Sequence, residues 1–204
     1  MRILVVAATP FEVEELNSVI KTEDLELITT GVGMVATAYA LGMHFASNKY
    51  DLAINFGIAG SFDRSIALGE VVEVTEDRFS ELGAEDGDDF LSIDQLGFGE
   101  SSMKSSYELP AAFGLKKVSA ITINTVHGRD ESIAKISTDT QLESMEGAAF
   151  FYACQMAGIP AIQIRAVSNY VERRNRDAWQ IGLAIKNLNT FAIDFLIGKN
   201  SLLQ

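Results

Sequence analysis

A mainly apolar run, Ala161 to Val167, interrupted by Gln163 and Arg165, closes on the polar tripeptide Ser168-Asn169-Tyr170, and the same grammar recurs along the chain. Arg2 to Ala8 is β-rich and opens onto Thr9-Pro10-Phe11-Glu12. Leu25 to Thr30 meets Gly31-Val32-Gly33, and Asp51 to Phe56 meets Gly57-Ile58-Ala59-Gly60. Glu70 to Thr75 and Val118 to Val126 read as further strands. Helical patterns lie between them: Pro10 through Glu12, Leu16 and Ile20; Ala36, Ala40, Met43 and Phe45; and Gly147 to Ala157, stopped by Gly158 and Pro160. A last helix starts near Asp177 and carries Ile181, Ala184, Ile185, Leu188, Phe191 and Phe195. Strands alternating with helices of this length predict an α/β fold with a mainly parallel sheet covered on both faces. In such sheets small molecules bind at the carboxyl ends of the strands. Glu12, the run Glu143-Ser144-Met145-Glu146-Gly147 and Asn169 are therefore expected to meet in one cleft. Residues 77–107 form the exception, an acidic, Gly- and Ser-rich stretch expected to be an irregular loop.

Bulk properties narrow the function. A chain of 204 residues predicts a single domain, 1–204, large enough to bury a substantial core. Its net charge of −12 argues against binding nucleic acid or an anionic membrane surface, which takes a surplus of Lys and Arg. Cys154 is the only cysteine, so no intrachain disulfide can form and a reducing compartment, the cytoplasm, is expected. Its place in an apolar helical run marks it as a small core residue. Only His44 and His127 join it, without zinc-site spacing, and neither metal nor other cofactor is expected. The apolar stretch from Ile3 to Ala8 is too short for a signal peptide, and no run approaches the ~20 residues of a membrane span.

The candidate groups each carry a structural and a functional reading. Thr9-Pro10-Phe11-Glu12 fits a capping box, in which the glutamate returns to the cap residue's N–H. Equally, Glu12 at a strand end is placed to act as a general base on water. Glu146, at the mouth of an apolar helix, either complements the helix N-terminus or accepts from vicinal sugar hydroxyls. Met145 is core filler or an apolar floor under a sugar ring. Asn169 is a turn residue or a purine reader. As a reader, its carboxamide accepts from a purine N7–H and donates to a C6 oxo group, so it matches hypoxanthine better than adenine. Arg173, Arg174 and Arg176 form a solvated loop or an anion clamp. Gly31-Val32-Gly33-Met34-Val35-Ala36 matches a dinucleotide fingerprint, but it follows the second strand and no acid ends the next one. Its glycines read as a tight turn that lets backbone approach a ligand.

Taken together, Ala7 to Glu12, Gly31-x-Gly33, Asn55 to Gly60, Leu68-Gly69-Glu70-Val71-Val72, Ser144 to Ala149 and Arg165 to Asn169 resemble the purine nucleoside phosphorylase / nucleosidase superfamily. The resemblance spans roughly Arg2 to Asn169, with the pieces in the family's order. It implies a three-layer α/β/α sandwich with a mainly parallel mixed sheet, cleavage of N-ribosidic bonds of a small-molecule nucleoside, and a homo-oligomer, dimer or higher. Glu81 to Gly87, Ser168 to Glu172 and Asn175 to Trp179 are similar to signatures of the futalosine hydrolases of menaquinone biosynthesis, whose usual pattern has proline where Arg173 stands. Methylthioadenosine/S-adenosylhomocysteine nucleosidases carry Asp where this chain has Asn169; they and the purine nucleoside phosphorylases are the alternatives. The resemblance implies Glu12 and Asn169 as catalytic. It implies Ile58, Ala59, Gly60, Met145 and Glu146 on the substrate, and one of the three arginines on the substrate carboxylate.

Overall fold

The computed structural model describes residues 1–20 and 23–198. Strand β1 (Ile3–Ala7) is buried along its whole length and lies between the edge strand β2 (Leu25–Thr29) and β3 (Leu52–Ser61), parallel to both. Its side chains alternate between two cores. Ile3, Val5 and Ala7 face one layer, with Leu16 of α1 (Glu14–Val19) and Leu188, Ala192 and Phe195 of α5 (Ile181–Ile197). Leu4 and Val6 face the other, with Leu41 and Phe45 of α2 (Met34–Phe45) and Phe150, Phe151 and Cys154 of α4 (Gly147–Ala157). Each buried Leu, Ile or Phe contributes about 1.5–3 kcal/mol. A sheet apolar on both faces requires this helix–sheet–helix layering, and the expected three layers are present.

The remaining strands are β4 (Val71–Phe79), β5 (Gly83–Asp86), β6 (Asp89–Ser92), β7 (Ser102–Lys104), β8 (Lys116–Thr122), β9 (Leu142–Ser144) and β10 (Ala161–Tyr170), with the one-turn helix α3 (Asp130–Ile133) before β9. The sheet is mixed: β10 pairs parallel with β3 but antiparallel with β4, and β9 is antiparallel to β3. The order β10-β4-β8-β9-β3, with β3 pairing back onto β10, closes a ring of five strands. Ala59, Val72, Val74, Val118, Ala120, Leu142 and Val167 form a third core on these strands. Closure leaves those strands no free edge, which suits short strands with little else to protect them.

Several boundaries differ from the sequence expectation. The first helix is a 3-10 turn, Pro10–Val13, before α1, and Arg176–Ala178 is a separate 3-10 turn ahead of α5. β3 does not stop at Phe56 but continues as strand through Gly57-Ile58-Ala59-Gly60, because β10 pairs with this half along its length and β9 joins at Gly60 and Ser61. β8 ends at Thr122, short of Val126. Residues 77–107 are not irregular throughout: they hold the end of β4, the hairpin β5–β6 and β7. α4 has the expected bounds, ended by Gly158 in the left-handed conformation.

Asp77 lies inside this layer and is fully buried; its carboxylate accepts from Gln163 Nε2 at 3.0 Å and Thr122 Oγ1 at 2.8 Å. Burial lifts its carboxyl from an ordinary 3.8 to about 6, against the pull of those donors and of Arg165. The folded chain therefore binds this proton more tightly than the unfolded chain. The resulting stabilisation, about 3 kcal/mol, is complete below about pH 4 and is lost as pH rises through 6. Asp77→Asn is expected to remove that slope. Melting curves of the two proteins from pH 4 to pH 7.5 should converge towards acid and move apart between pH 4 and pH 6, with the variant the less pH-sensitive. Parallel curves would place the proton elsewhere.

Candidate active site

At the carboxyl ends of β1, β3, β9 and β10 lies a cavity of about 270 Å³. Glu12, Ile58, Gly60, Met145, Glu146 and Asn169 all line it, brought together from four separate stretches of chain. Ala8, Thr9, Val32, Val126, His127, Glu143, Ser168, Trp179 and Ile181 complete the wall.

Glu12 unites its two sequence readings. Its Oε2 accepts from the Thr9 N–H at 2.9 Å and from Thr9 Oγ1 at 3.1 Å, the return half of a capping box. Oε1 accepts from the Ile58 N–H at 3.2 Å. The cap therefore fixes the rotamer of a carboxylate that fronts the cavity, as a general base requires. Glu146 is the residue before α4 but does not cap it with its side chain. Instead Oε1 accepts from the Gly33 N–H at 2.9 Å and Oε2 from the Met145 N–H at 3.3 Å. Here lies the role of the Gly31-Val32-Gly33 turn: with φ at 97°, Gly33 occupies a conformation unfavourable to L side chains and aims its amide at the carboxylate. Burial raises the Glu146 carboxyl above its ordinary range, opposed first by Arg165 and then by the Gly33 amide.

Beneath the two glutamates, Arg165 of β10 is among the largest fully buried side chains. One Nη donates to Asn55 Oδ1, while Nε has no hydrogen-bond partner. Burial works against its charge; Glu146, Glu12 and Asp77 work for it. A Cβ on Gly57 would sit 2.5 Å from Arg165 Nη1 and 3.1 Å from Glu12 Oε1, so a bare backbone is what admits the guanidinium here.

Asn169 is a strand residue, not a turn residue. The pairing of β10 with β3 slips after Val167, so that Asn169 rather than Ser168 meets Gly60. Such a bulge re-aims side chains, and both Ser168 and Asn169 reach the cavity. Ser168 Oγ holds the amide by donating to Asn169 Oδ1 at 2.8 Å, and Asn169 Nδ2 donates to the Tyr170 carbonyl at 3.2 Å. Each amide atom retains capacity for a ligand.

Not every expected residue reaches the wall. Ala59 is buried behind it, its carbonyl accepting from Ser168 Oγ at 3.2 Å. Arg173, Arg174 and Arg176 are exposed and outside the cavity; Arg174 and Arg176 lie 5.3 and 5.9 Å from the Trp179 ring, which does line it. Two wall residues were not singled out from sequence for a role: Glu143, visible in the run before Glu146, and His127, a lone histidine with no motif. They are joined, His127 Nδ1 lying 2.5 Å from Glu143 Oε2, and burial raises the Glu143 carboxyl against that contact.

The sequence profile of the Phosphorylase superfamily matches residues 18–196. The chain belongs to that superfamily. Among relatives, a futalosine hydrolase from Thermus thermophilus is 32% identical over 171 residues, covering 79% of this chain and 76% of the relative. Among solved structures, a 5′-methylthioadenosine/S-adenosylhomocysteine nucleosidase from Colwellia psychrerythraea in complex with adenine superposes with a TM-score of 0.82 at 23% identity, over 95% of this chain and 93% of that one. The native futalosine hydrolase of Helicobacter pylori gives a TM-score of 0.81 at 13% identity, over 94% and 95%. At those identities the two structures show the shared superfamily fold.

Replacing Arg165 by methionine leaves Glu12, Glu146 and Asp77 without their shared countercharge. The expected loss is about 3–5 kcal/mol, larger at pH 8 than at pH 5, where the Asp77 carboxyl, raised to about 6, is protonated. Urea unfolding at the two pH values reads the difference. Equal losses would mean that Arg165 compensates no charge.

Proposed function

We propose that this chain hydrolyses the N-ribosidic bond of futalosine, releasing hypoxanthine and dehypoxanthine futalosine, and so serves menaquinone biosynthesis. The observation that carries the proposal is the amide of Asn169, held at the bulged end of β10 in the cavity that Glu12 and Glu146 share. A carboxamide can accept from N7–H and donate to O6 of a 6-oxo purine at the same time. Identity of 32% to a futalosine hydrolase supports the same substrate.

In this mechanism Glu12 takes a proton from water, whose oxygen bonds to C1′ as the C1′–N9 bond breaks. The electron pair of that bond passes into the purine, and N7 takes up a proton. Asn169 has no titratable proton to give; it holds the N7–O6 edge while solvent supplies one. Glu146 accepts the ribose hydroxyls and Met145 lies under the ring, with Ile58 and Gly60 forming the nucleophile side and Ala59 behind them. An arginine from the trio 173, 174 and 176 takes the substrate carboxylate, and Arg174 and Arg176 lie against Trp179, a residue of the cavity wall.

The enzyme is further proposed to be cytoplasmic, in keeping with one buried cysteine, and to act as a homo-oligomer. No helix among the described residues is long and apolar enough to cross a membrane. Support for the oligomer comes from an apolar groove of about 610 Å³ lined by Met34, Val35, Leu82, Phe98 and Tyr152, where Val35 and Phe98 are 78% and 80% exposed. A second copy covering it would lie beside Val32, which lines the active cavity.

The deciding assay incubates the protein with futalosine, inosine and methylthioadenosine, with and without phosphate, and separates the released bases. Hypoxanthine from futalosine without phosphate is expected. Adenine from methylthioadenosine would assign a methylthioadenosine-type nucleosidase, and strict phosphate dependence a phosphorylase. Glu12→Gln should slow turnover by roughly 10²- to 10⁴-fold, and near-normal rates would remove it as the base. Asn169→Asp should shift preference from 6-oxo towards 6-amino purines; an unmoved ratio would end its role as reader.

A further inference from the structure

Asn189 is the polar member of the buried face of α5, beside Ala184, Leu188, Ala192 and Phe195, and is 1% exposed. Its carboxamide is committed at three points. Oδ1 accepts from the Leu16 N–H at 3.0 Å, while Nδ2 donates to the Glu12 carbonyl at 3.0 Å and to the Ile185 carbonyl at 2.8 Å. The last of these bonds lies four residues back on α5 and fixes the amide against its own helix. The other two reach a break in the chain after β1. In an unbroken α-helix the carbonyl of residue 12 takes the N–H of residue 16. Here both groups go to Asn189. Between them the 3-10 turn ends at Val13, whose φ of −134° and ψ of 19° divide it from α1. A carboxamide carries side by side the donor and the acceptor that such a break needs, which explains a buried amide on an otherwise apolar face. Glu12 is thereby held at both ends, its carboxylate by Thr9 and Ile58 and its carbonyl by Asn189.

We propose that Asn189 is a positioning residue for the general base: by taking the Glu12 carbonyl and the Leu16 N–H, it keeps the turn after β1 open and holds the Glu12 carboxylate on the cavity. The inference rests on the proposed function, in which Glu12 activates water. Without the amide, the two backbone groups are free to bond each other, and the 3-10 turn can run on into α1. Stability then falls little, because neither group is left unpaired. Rate falls more, because the continuous helix turns Glu12 away from Ile58 and Thr9. A misplacement of about 1 Å is enough to cost about 10²-fold in turnover. Asn189 itself lies behind the cavity wall, so it acts on the base and not on the substrate.

The test compares wild type, Asn189→Leu, Glu12→Gln and the double variant in futalosine turnover, with melting curves to report the fold. Asn189→Leu keeps the side-chain size and removes the amide. It should lower kcat by about 10- to 100-fold, leave KM within about threefold, and reduce the melting temperature only modestly. In the Glu12→Gln background the same substitution should change kcat by less than about twofold, since a residue that acts through the base has nothing left to act on. Losses that multiply in the double variant would overturn the assignment, and so would near-normal kcat in folded Asn189→Leu. Asn189→Ala is the second variant and should show the same dependence on Glu12. Failure of both variants to fold would make the amide a stability element and overturn its positioning role. If Glu12→Gln is slow while folded Asn189→Leu is not, the proposed base stands and only the positioning role is lost. If wild type instead releases adenine from methylthioadenosine and nothing from futalosine, the substrate reading falls. The same four proteins compared on methylthioadenosine then decide for Asn189.

Discussion

One buried cation organises this molecule. Arg165 lies where three carboxylates from three elements converge: Glu12 after β1, Asp77 on β4 and Glu146 before α4. None of these groups would be tolerable alone in so dry a place, because an unpaired buried charge costs several kcal/mol. Together they are mutually compensated, with backbone amides from Ile58 and Gly33 supplying what the guanidinium does not. Negative charge can therefore be held at a cavity floor where the proposed base, Glu12, and the proposed sugar-binding carboxylate, Glu146, both stand.

The strand architecture serves the same end. Parallel pairing of β1, β3 and β10 brings their carboxyl ends to one side, so Glu12, Ile58 and Asn169 converge without any of them being near in sequence. The bulge after Val167 and the positive-φ turn at Gly33 are local departures from regular geometry, each at the cavity or against its floor, while Gly57 and Gly60 leave the strand bare for side chains to approach. Regular structure supplies rigidity, and the irregularities supply aim.

Much of this was legible from sequence, and the rest failed for identifiable reasons. The alternation of apolar runs gave the layers, and Gly158 with Pro160 marked the end of α4, because these signals are local. Glu12, Met145, Glu146 and Asn169 were recognisable as residues at strand ends. The Gly57 to Gly60 stretch read as the end of a strand because glycine weakens strands on average, whereas here the small residues exist to admit Arg165 and Asn169 against the backbone. Asp77 was read as the start of a loop. Its burial depends on Thr122 and Gln163, 45 and 86 residues away, and no window of sequence contains that information. His127 and Glu143 became a pair only in three dimensions, and the exposed arginines were placed closer to the cavity than they are.

The closed ring of five strands has a kinetic side. β3 and β10 make one of its seams although more than a hundred residues separate their pairing partners, as between Ile54 and Ile162. Loop-closure entropy has to be met before that seam returns any energy, so folding should be governed by a late, non-local event. β10 also carries Arg165 and Asn169. During synthesis Glu12 and Asp77 are made long before their counterion, and the half-made chain has every incentive to leave them in water. Asn169 and the compensating charge then arrive on the same strand, in the same step that shuts the ring. A partly folded population would thus hold no weakened version of the site, only its absence.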